Sequence, residues 1–309
     1  MSLHQLTSVT IGVPDVAPVA AYYAEFGLTD LGDVSFGTAD GGPQLRITRA
    51  PTRRLIDLTV GADDPDDLDR IAANLAGLGL ACIREGGTLR AEEPVAGFAA
   101  TIEVRPRLEQ PAVPPTPYNG PGRAERTEDR APGVLRDGPV RPRKLGHVVV
   151  GSTDQAATSR FFTDGLGFKA SDWIKGAAAF LRCSTDHHNV LVLGAPVNFL
   201  HHTSWQVQDV DEIGRGACAM LESHPERHVW GLGRHYAGSN FFWYLKDPAG
   251  NFSEYYSDMD CIIDDQLWTP ETLEGARSLF NWGPPPPPSF LHPEDLAGLM
   301  TGSHAPGSR

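Results

Sequence analysis

The stretch Leu145-Gly146-His147-Val148-Val149-Val150-Gly151-Ser152-Thr153-Asp154 is an apolar strand that ends in a glycine and a turn aspartate. Leu6-Thr7-Ser8-Val9-Thr10-Ile11-Gly12-Val13-Pro14-Asp15 has the same pattern near the N-terminus. The two stretches open an internal repeat. Each leads into a short helical segment with paired aromatics, Ala21-Tyr22-Tyr23 in one half and Arg160-Phe161-Phe162 in the other. A turn follows each, at Gly27-Leu28 and at Leu166-Gly167-Phe168.

The later parts of the halves match as well. Leu55-Ile56-Asp57-Leu58-Thr59-Val60 precedes an acidic helix start at Asp66, Asp67 and Asp69, and His202-Thr203-Ser204-Trp205-Gln206-Val207 precedes Asp209, Asp211 and Glu212. Acidic side chains are favoured there by the helix dipole. Late in each half comes a strand with a glutamate, Thr101-Ile102-Glu103-Val104 and Phe252-Ser253-Glu254-Tyr255. The pattern predicts an α+β fold of paired βαβββ modules. Two tandem two-module domains, each a curled and incompletely closed β-barrel, are expected over residues 1–108 and 144–262. Residues 109–143, rich in proline, glycine and mixed charge, read as a surface linker. Residues 263–309 read as a tail that could act as a lid, with one short helix near Pro270 to Phe280 and a proline run, Pro284 to Pro288, lying along the surface.

Aligned in this way, Ser8 sits opposite His147, Leu55 opposite His202 and Glu103 opposite Glu254. The scaffold therefore exists without imidazoles in the first half, and shared architecture alone does not account for His147 and His202. Two imidazoles and one carboxylate, on three strands about one module apart, are what a facial-triad metal site requires. The expected ligands are His147, His202 and Glu254, and the first domain is expected to lack a site.

Composition narrows the function classes. The chain has 309 residues and a net charge of -13, which argues against a nucleic-acid partner. It contains no apolar run of about 18 residues, so no membrane span is expected. Met1-Ser2-Leu3-His4-Gln5 lacks the features of a signal peptide. Cys82, Cys183, Cys218 and Cys261 are scattered, which fits reduced thiols and a cytoplasmic location.

The second half resembles the type I extradiol ring-cleavage dioxygenases of the vicinal oxygen chelate superfamily. The resemblance is carried by Leu145-Gly146-His147-Val148-Val149, by Leu200-His201-His202, and by Gly233-Arg234-His235 through Tyr244 to Asp247-Pro248-Ala249-Gly250-Asn251-Phe252-Ser253-Glu254. It implies that the second histidine of the pair, His202 and not His201, binds metal. It further implies that His188, in Cys183-Ser184-Thr185-Asp186-His187-His188-Asn189, is the catalytic acid/base. His235 would hydrogen-bond substrate or oxygen, and Tyr244 would contact the catecholate oxygen. Taken singly, His187 and His188 read as an exposed turn pair, and for one of them that reading is kept. His235 alone reads as a loop cap, and Tyr244, beside Phe241, Phe242 and Trp243, as a core aromatic.

The resemblance implies Fe(II), with Mn(II) suiting the same triad, a catechol and O2 as substrates, and a ring-opened semialdehyde as product. Two other readings compete: a glyoxalase- or epimerase-type enzyme, and a metal-free binding protein on the same scaffold. Trp173, Trp205 and Trp243 either line an apolar pocket or belong to the core. Exposed sheet edges predict a homo-oligomer.

Overall fold

A computed structural model describes residues 3–300, so Met1, Ser2 and the last part of the expected tail, residues 301–309, lie outside the described residues. The first half runs β1 (Leu3–Val13), α1 (Val16–Glu25), β2 (Thr29–Asp30), β3 (Ser35–Thr38), β4 (Gly42–Arg49), β5 (Arg54–Ala62), α2 (Pro65–Gly77), β6 (Cys82–Glu85), β7 (Thr88–Glu92) and β8 (Ala99–Val104). After α3 (Pro132–Leu135), the second half repeats the order: β9 (Lys144–Ser152), α4 (Gln155–Arg160), β10 (Lys169–Ile174), β11 (Ala178–Arg182), β12 (Val190–Gly194) and β13 (Phe199–Gln206). It continues through α5 (Val210–Leu221), β14 (His228–Arg234), β15 (Phe241–Lys246) and β16 (Phe252–Ser257). The tail adds β17 (Thr272–Leu273), α6 (Pro288–Leu291) and α7 (Leu296–Met300).

Two mixed sheets result, ordered β2-β3-β4-β1-β5-β8-β7-β6 and β14-β15-β16-β13-β9-β12-β11-β10-β17, and neither closes into a barrel. At the centre of each is an antiparallel pair, β1 with β5 or β9 with β13, flanked on both sides by parallel partners. Local chemistry sets the helix starts. Asp64 and Asp67 form a reciprocal capping box on α2, with Pro65 at its first turn, and Leu68, Ile71 and Leu75 recur on its buried face. Asp209 caps α5 by accepting from the Glu212 backbone N–H.

The register corrects the alignment drawn from sequence. Ser8 pairs with Thr59 and His147 with Ser204, so Ser8 and His147 are equivalent as expected. Following both ladders outward, however, makes Asp57 and not Leu55 the counterpart of His202, and Thr101 and not Glu103 the counterpart of Glu254. Arg90, opposite Thr101, stands where Tyr244 stands opposite Glu254. In the first half this position is filled by an ion pair: Arg90 donates to Asp57 at 2.7 Å, and Thr101 donates to the same carboxylate oxygen at 2.9 Å.

The paired aromatics of the repeat join the halves. Phe26 stacks on Tyr255 at 3.9 Å between ring centroids, the Tyr255 hydroxyl donates to the Phe26 carbonyl at 2.6 Å, and Tyr22 Oη meets Ser253 Oγ at 2.5 Å. Reciprocally, Phe162 packs on Phe98. Residues 109–143 are tied down by polar contacts, among them Arg136 on Asp209 and Arg143 on Asp40. The tail differs from the single helix expected near Pro270 to Phe280. Thr272–Leu273 pairs with β10, and Gly275–Ser278 forms a 3-10 turn. The proline run leads into α6, whose Phe290 is buried.

Candidate metal centre and active site

His147 lies on β9, His202 on β13 and Glu254 on β16, three neighbouring strands of one sheet. All three side chains are buried, and one ligand atom from each lies within 4.8 Å of the others. His147 Nε2 is 3.0 Å from Glu254 Oε2, His202 Nε2 is 3.6 Å from it, and the two imidazole nitrogens are 3.3 Å apart. Despite this proximity Glu254 Oε2 makes no hydrogen bond, although the residue is 0% exposed. A carboxylate oxygen buried without a partner is costly. Facing two imidazole nitrogens, it suits a divalent cation, and a set of two nitrogens and one oxygen suits iron or manganese. Glu254 Oε1 is held by the Asn240 amide at 3.1 Å.

His188 and the pair His235–Tyr244 take opposite flanks. The His188 ring stands 4.2 Å from that of His147, and the Tyr244 ring 5.1 Å from that of His202. Burial pushes His188 well below the usual imidazole range, with the neighbouring His147 adding to the effect, so it is neutral at pH 7. Its tautomer follows from its partners. His187 Nε2 meets Asp172 Oδ2 at 3.0 Å, and His187 Nδ1 meets His188 Nδ1 at 3.1 Å. The carboxylate only accepts, so His187 carries its hydrogen on Nε2 and accepts at Nδ1. His188 then donates through Nδ1 and is left with a free lone pair on Nε2. On the other flank, His235 Nδ1 donates to the Leu279 carbonyl at 2.5 Å, and its Nε2 accepts from Tyr244 Oη at 2.9 Å. Burial lowers His235 and raises Tyr244, favouring the uncharged form of both.

Around these groups is a cleft holding about 600 Å³ of atom-free space. One wall is apolar: Val149, Ile174, Phe180, Leu191, Leu193 and Ala237. Trp230, Leu279 and Phe290 form the other, so the tail contributes to the enclosure. Among the described residues no Lys, Arg, Asp or Glu lines the cleft.

Residues 144–255 match the family described as the Glyoxalase/Bleomycin resistance protein/Dioxygenase superfamily. Metapyrocatechase 2 of Cupriavidus necator is 30% identical over 305 residues, covering 94% of this chain and 92% of that protein. The chain belongs to the extradiol dioxygenases. Another member of this family, the iron-dependent extradiol dioxygenase of Rhodococcus jostii, is 29% identical over 40% of this chain and 46% of its own length. Among solved structures, the Mn(II)-bound glyoxalase of Novosphingobium aromaticivorans is 27% identical with a TM-score of 0.73, covering 97% of both chains.

The structure brings five of the sequence-predicted site residues, His147, His188, His202, His235 and Tyr244, to the wall of one cleft, with Glu254 buried against the two candidate ligand imidazoles, and it corrects their surroundings. His187 is not an exposed turn residue; it is fully buried between Asp172 and His188. Of the tryptophans singled out, Trp205 belongs to the core and Trp173 is exposed, while Trp230, not singled out, lines the cleft. Asn240 was missed although it lies inside the Gly233–Glu254 segment that carries the resemblance. Asp172 had no signal of its own beyond being a lone acid in the strand Lys169–Ile174.

Proposed function

We propose that this extradiol dioxygenase opens the ring of an uncharged catechol bearing an apolar substituent, using a divalent metal held by His147, His202 and Glu254. The observation that carries the reading is the convergence of three buried donor atoms, one of them an unpartnered carboxylate oxygen, on a cleft flanked by His188 and by Tyr244–His235. An Fe(II) or Mn(II) ion bound there supplies a Lewis acid for the diol and the electrons that activate O2. His188 Nε2 takes the proton of a diol hydroxyl and returns it later in the reaction, as a neutral imidazole can. On the other flank, Tyr244 turns its hydroxyl from His235 to the substrate oxygen and stabilises charge there. Phe180, Leu191, Leu193 and Ile174 receive the ring substituent and keep water from the reacting atoms.

In this reading residues 1–108 are scaffold, residues 144–262 carry catalysis, and the tail from residue 263 covers the cleft. Self-association through an open edge completes it: Ile83 on the edge strand β6 is 62% exposed, and light scattering on the purified protein reads the mass directly. No helix among the described residues is long and apolar enough to cross a membrane.

The test is anaerobic reconstitution with Fe(II) or Mn(II), followed by a catechol panel in an oxygen electrode. Coloured ring-opened products with one O2 consumed per substrate are expected, and alkyl- or arylcatechols should exceed carboxylated catechols in kcat/KM. Turnover without oxygen uptake would favour a glyoxalase-type reaction. That reading calls for a fourth ligand, and the cluster among the described residues holds three.

A further inference from the structure

Strand β13 carries two adjacent histidines, and the ladder to β9 skips the first of them: Leu200 pairs with Val150 and His202 with Val149. A bulge of this kind re-aims side chains. Here it places the two imidazoles Nδ1 to Nδ1 at 2.7 Å. The other nitrogen of His201, Nε2, lies 2.7 Å from the backbone carbonyl of Phe290 in the tail. His201 and Phe290 are both buried.

These contacts define where the hydrogens sit. A carbonyl oxygen only accepts, so His201 carries a hydrogen on Nε2, and as a neutral imidazole it accepts at Nδ1. The hydrogen in the short contact between the rings therefore belongs to His202 Nδ1. The remaining nitrogen, His202 Nε2, keeps its lone pair and points it at Glu254 Oε2 and His147 Nε2. We propose that His201 is a positioning residue that holds His202 in its ligating tautomer and ties that tautomer to the seating of the tail at Phe290. The proposal rests on the reading of His202 as a metal ligand. His147 has no comparable support, since its Nδ1 makes no hydrogen bond.

The tail is bound to the same strand at a second point. Arg53, 1% exposed, donates to the Leu200 carbonyl at 2.5 Å and forks onto Asp295 at 2.6 and 2.8 Å. The Phe290 ring lies 4.8 Å from those of Tyr244 and Trp230, inside the cleft. Seating of the tail and grip on the metal are thus coupled, and coupling of this kind is reciprocal.

Three substitutions separate the two bonds of His201. In His201→Asn the side-chain oxygen takes the place of Nδ1, keeping the acceptor for His202 and losing the tail. In His201→Gln the amide nitrogen takes the place of Nε2, keeping the tail and losing His202. His201→Leu loses both. Imidazole nitrogen NMR of the metal-free protein reads the His202 tautomer, and Mn(II) titration reads affinity. Hydrogen exchange over residues 288–292 reads tail seating.

The Nδ1–H form of His202 is expected in wild type and His201→Asn. Mn(II) affinity should fall about 10–100-fold in His201→Gln and His201→Leu while His201→Asn stays close to wild type. Tail exchange should rise in His201→Asn and His201→Leu but not in His201→Gln. Equal Mn(II) affinity of the Asn and Gln variants, or an Nε2–H form of His202 in wild type, overturns the proposal. Wild-type protein that takes up no Mn(II) or Fe(II) would instead sink the dioxygenase reading, and the metal-free spectra would still decide the tautomer.

Discussion

Asp172→Asn isolates the hydrogen-bond chain behind His188. In wild type the Asp172 carboxylate accepts from the Glu271 backbone N–H at 2.8 Å through Oδ1 and faces His187 Nε2 at 3.0 Å through Oδ2. Asparagine keeps the size and the Oδ1 acceptor, so its NH2 group is turned on His187. Two donors then face each other. Either that contact breaks, or His187 moves its hydrogen to Nδ1 and drives the His188 hydrogen onto Nε2, where a base is needed. Each outcome costs about one hydrogen bond to a charged group, roughly 1.5–3 kcal/mol. At about 1.4 kcal/mol per factor of ten, kcat should fall roughly 10- to 150-fold. The assay is steady-state O2 uptake by metal-replete enzyme, with metal content measured on the same sample and KM expected to change less than kcat. His188→Phe should lose about two orders of magnitude or more, and adding Asp172→Asn to it should cost little further, because both act through one base. A folded, metal-replete Asp172→Asn enzyme with unchanged kcat refutes this role of the chain, as does a double variant whose losses multiply.

Glu254→Ala should abolish stoichiometric Fe(II) or Mn(II) uptake, since two imidazoles alone remain; full metal occupancy by elemental analysis removes Glu254 from the ligand set. Gly146→Ala would drive a Cβ into the buried Tyr256 hydroxyl and ring, beside His147. Overpacking of this kind costs about 1–3 kcal/mol, and an unchanged urea midpoint would show that the ring yields freely. Asp247→Asn should alter the pH dependence of stability. Burial pushes the Asp247 carboxyl up to about 6, so the folded state holds its proton more tightly than the unfolded chain does. That advantage is complete below about pH 4 and is lost as pH rises through 6, leaving an upper cost of about 3 kcal/mol at neutrality. The Asn251 side-chain oxygen, unpartnered in wild type, can accept from the new amide. Melting of the variant relative to wild type should therefore improve from pH 4 to pH 7, and a difference that does not vary with pH contradicts the assignment.

The candidate ligand types are legible in sequence because they break the apolar pattern of their strands, but two of their three counterparts in the first half lie two residues away from where the sequence alignment puts them. The sequence alignment puts Leu55 opposite His202 where the ladder gives Asp57, and Glu103 opposite Glu254 where it gives Thr101. A slip of one residue would have turned every side chain to the other face and exposed the error. A slip of two preserves the alternation, so hydrophobic pattern cannot detect it. The bulge that skips Ile56 in one half and His201 in the other has no compositional mark either. His187 and His201 were passed over for a related reason. Their roles are set by Asp172, 15 residues away, and by a backbone carbonyl 89 residues away, and a carbonyl leaves no trace in sequence.

The corrected register also shows what fills the corresponding position of the first half. Where Glu254, His202 and Tyr244 stand in the second sheet, the first has Thr101, Asp57 and Arg90, and the Arg90 guanidinium supplies a cation from within the chain. Coordination is therefore not needed to hold that sheet together, and its helix α1 is free to support the other domain. On β16, Ser253 and Tyr255 flank Glu254, and alternation along a strand turns them away from the metal site. Both are met by α1 of the first half and its C-cap residue, Ser253 by the Tyr22 hydroxyl and Tyr255 by the Phe26 ring. The strand that carries Glu254 is thus clamped by aromatics of the first half. The position of Glu254 is therefore supported from the first half as well as by the strands of its own sheet.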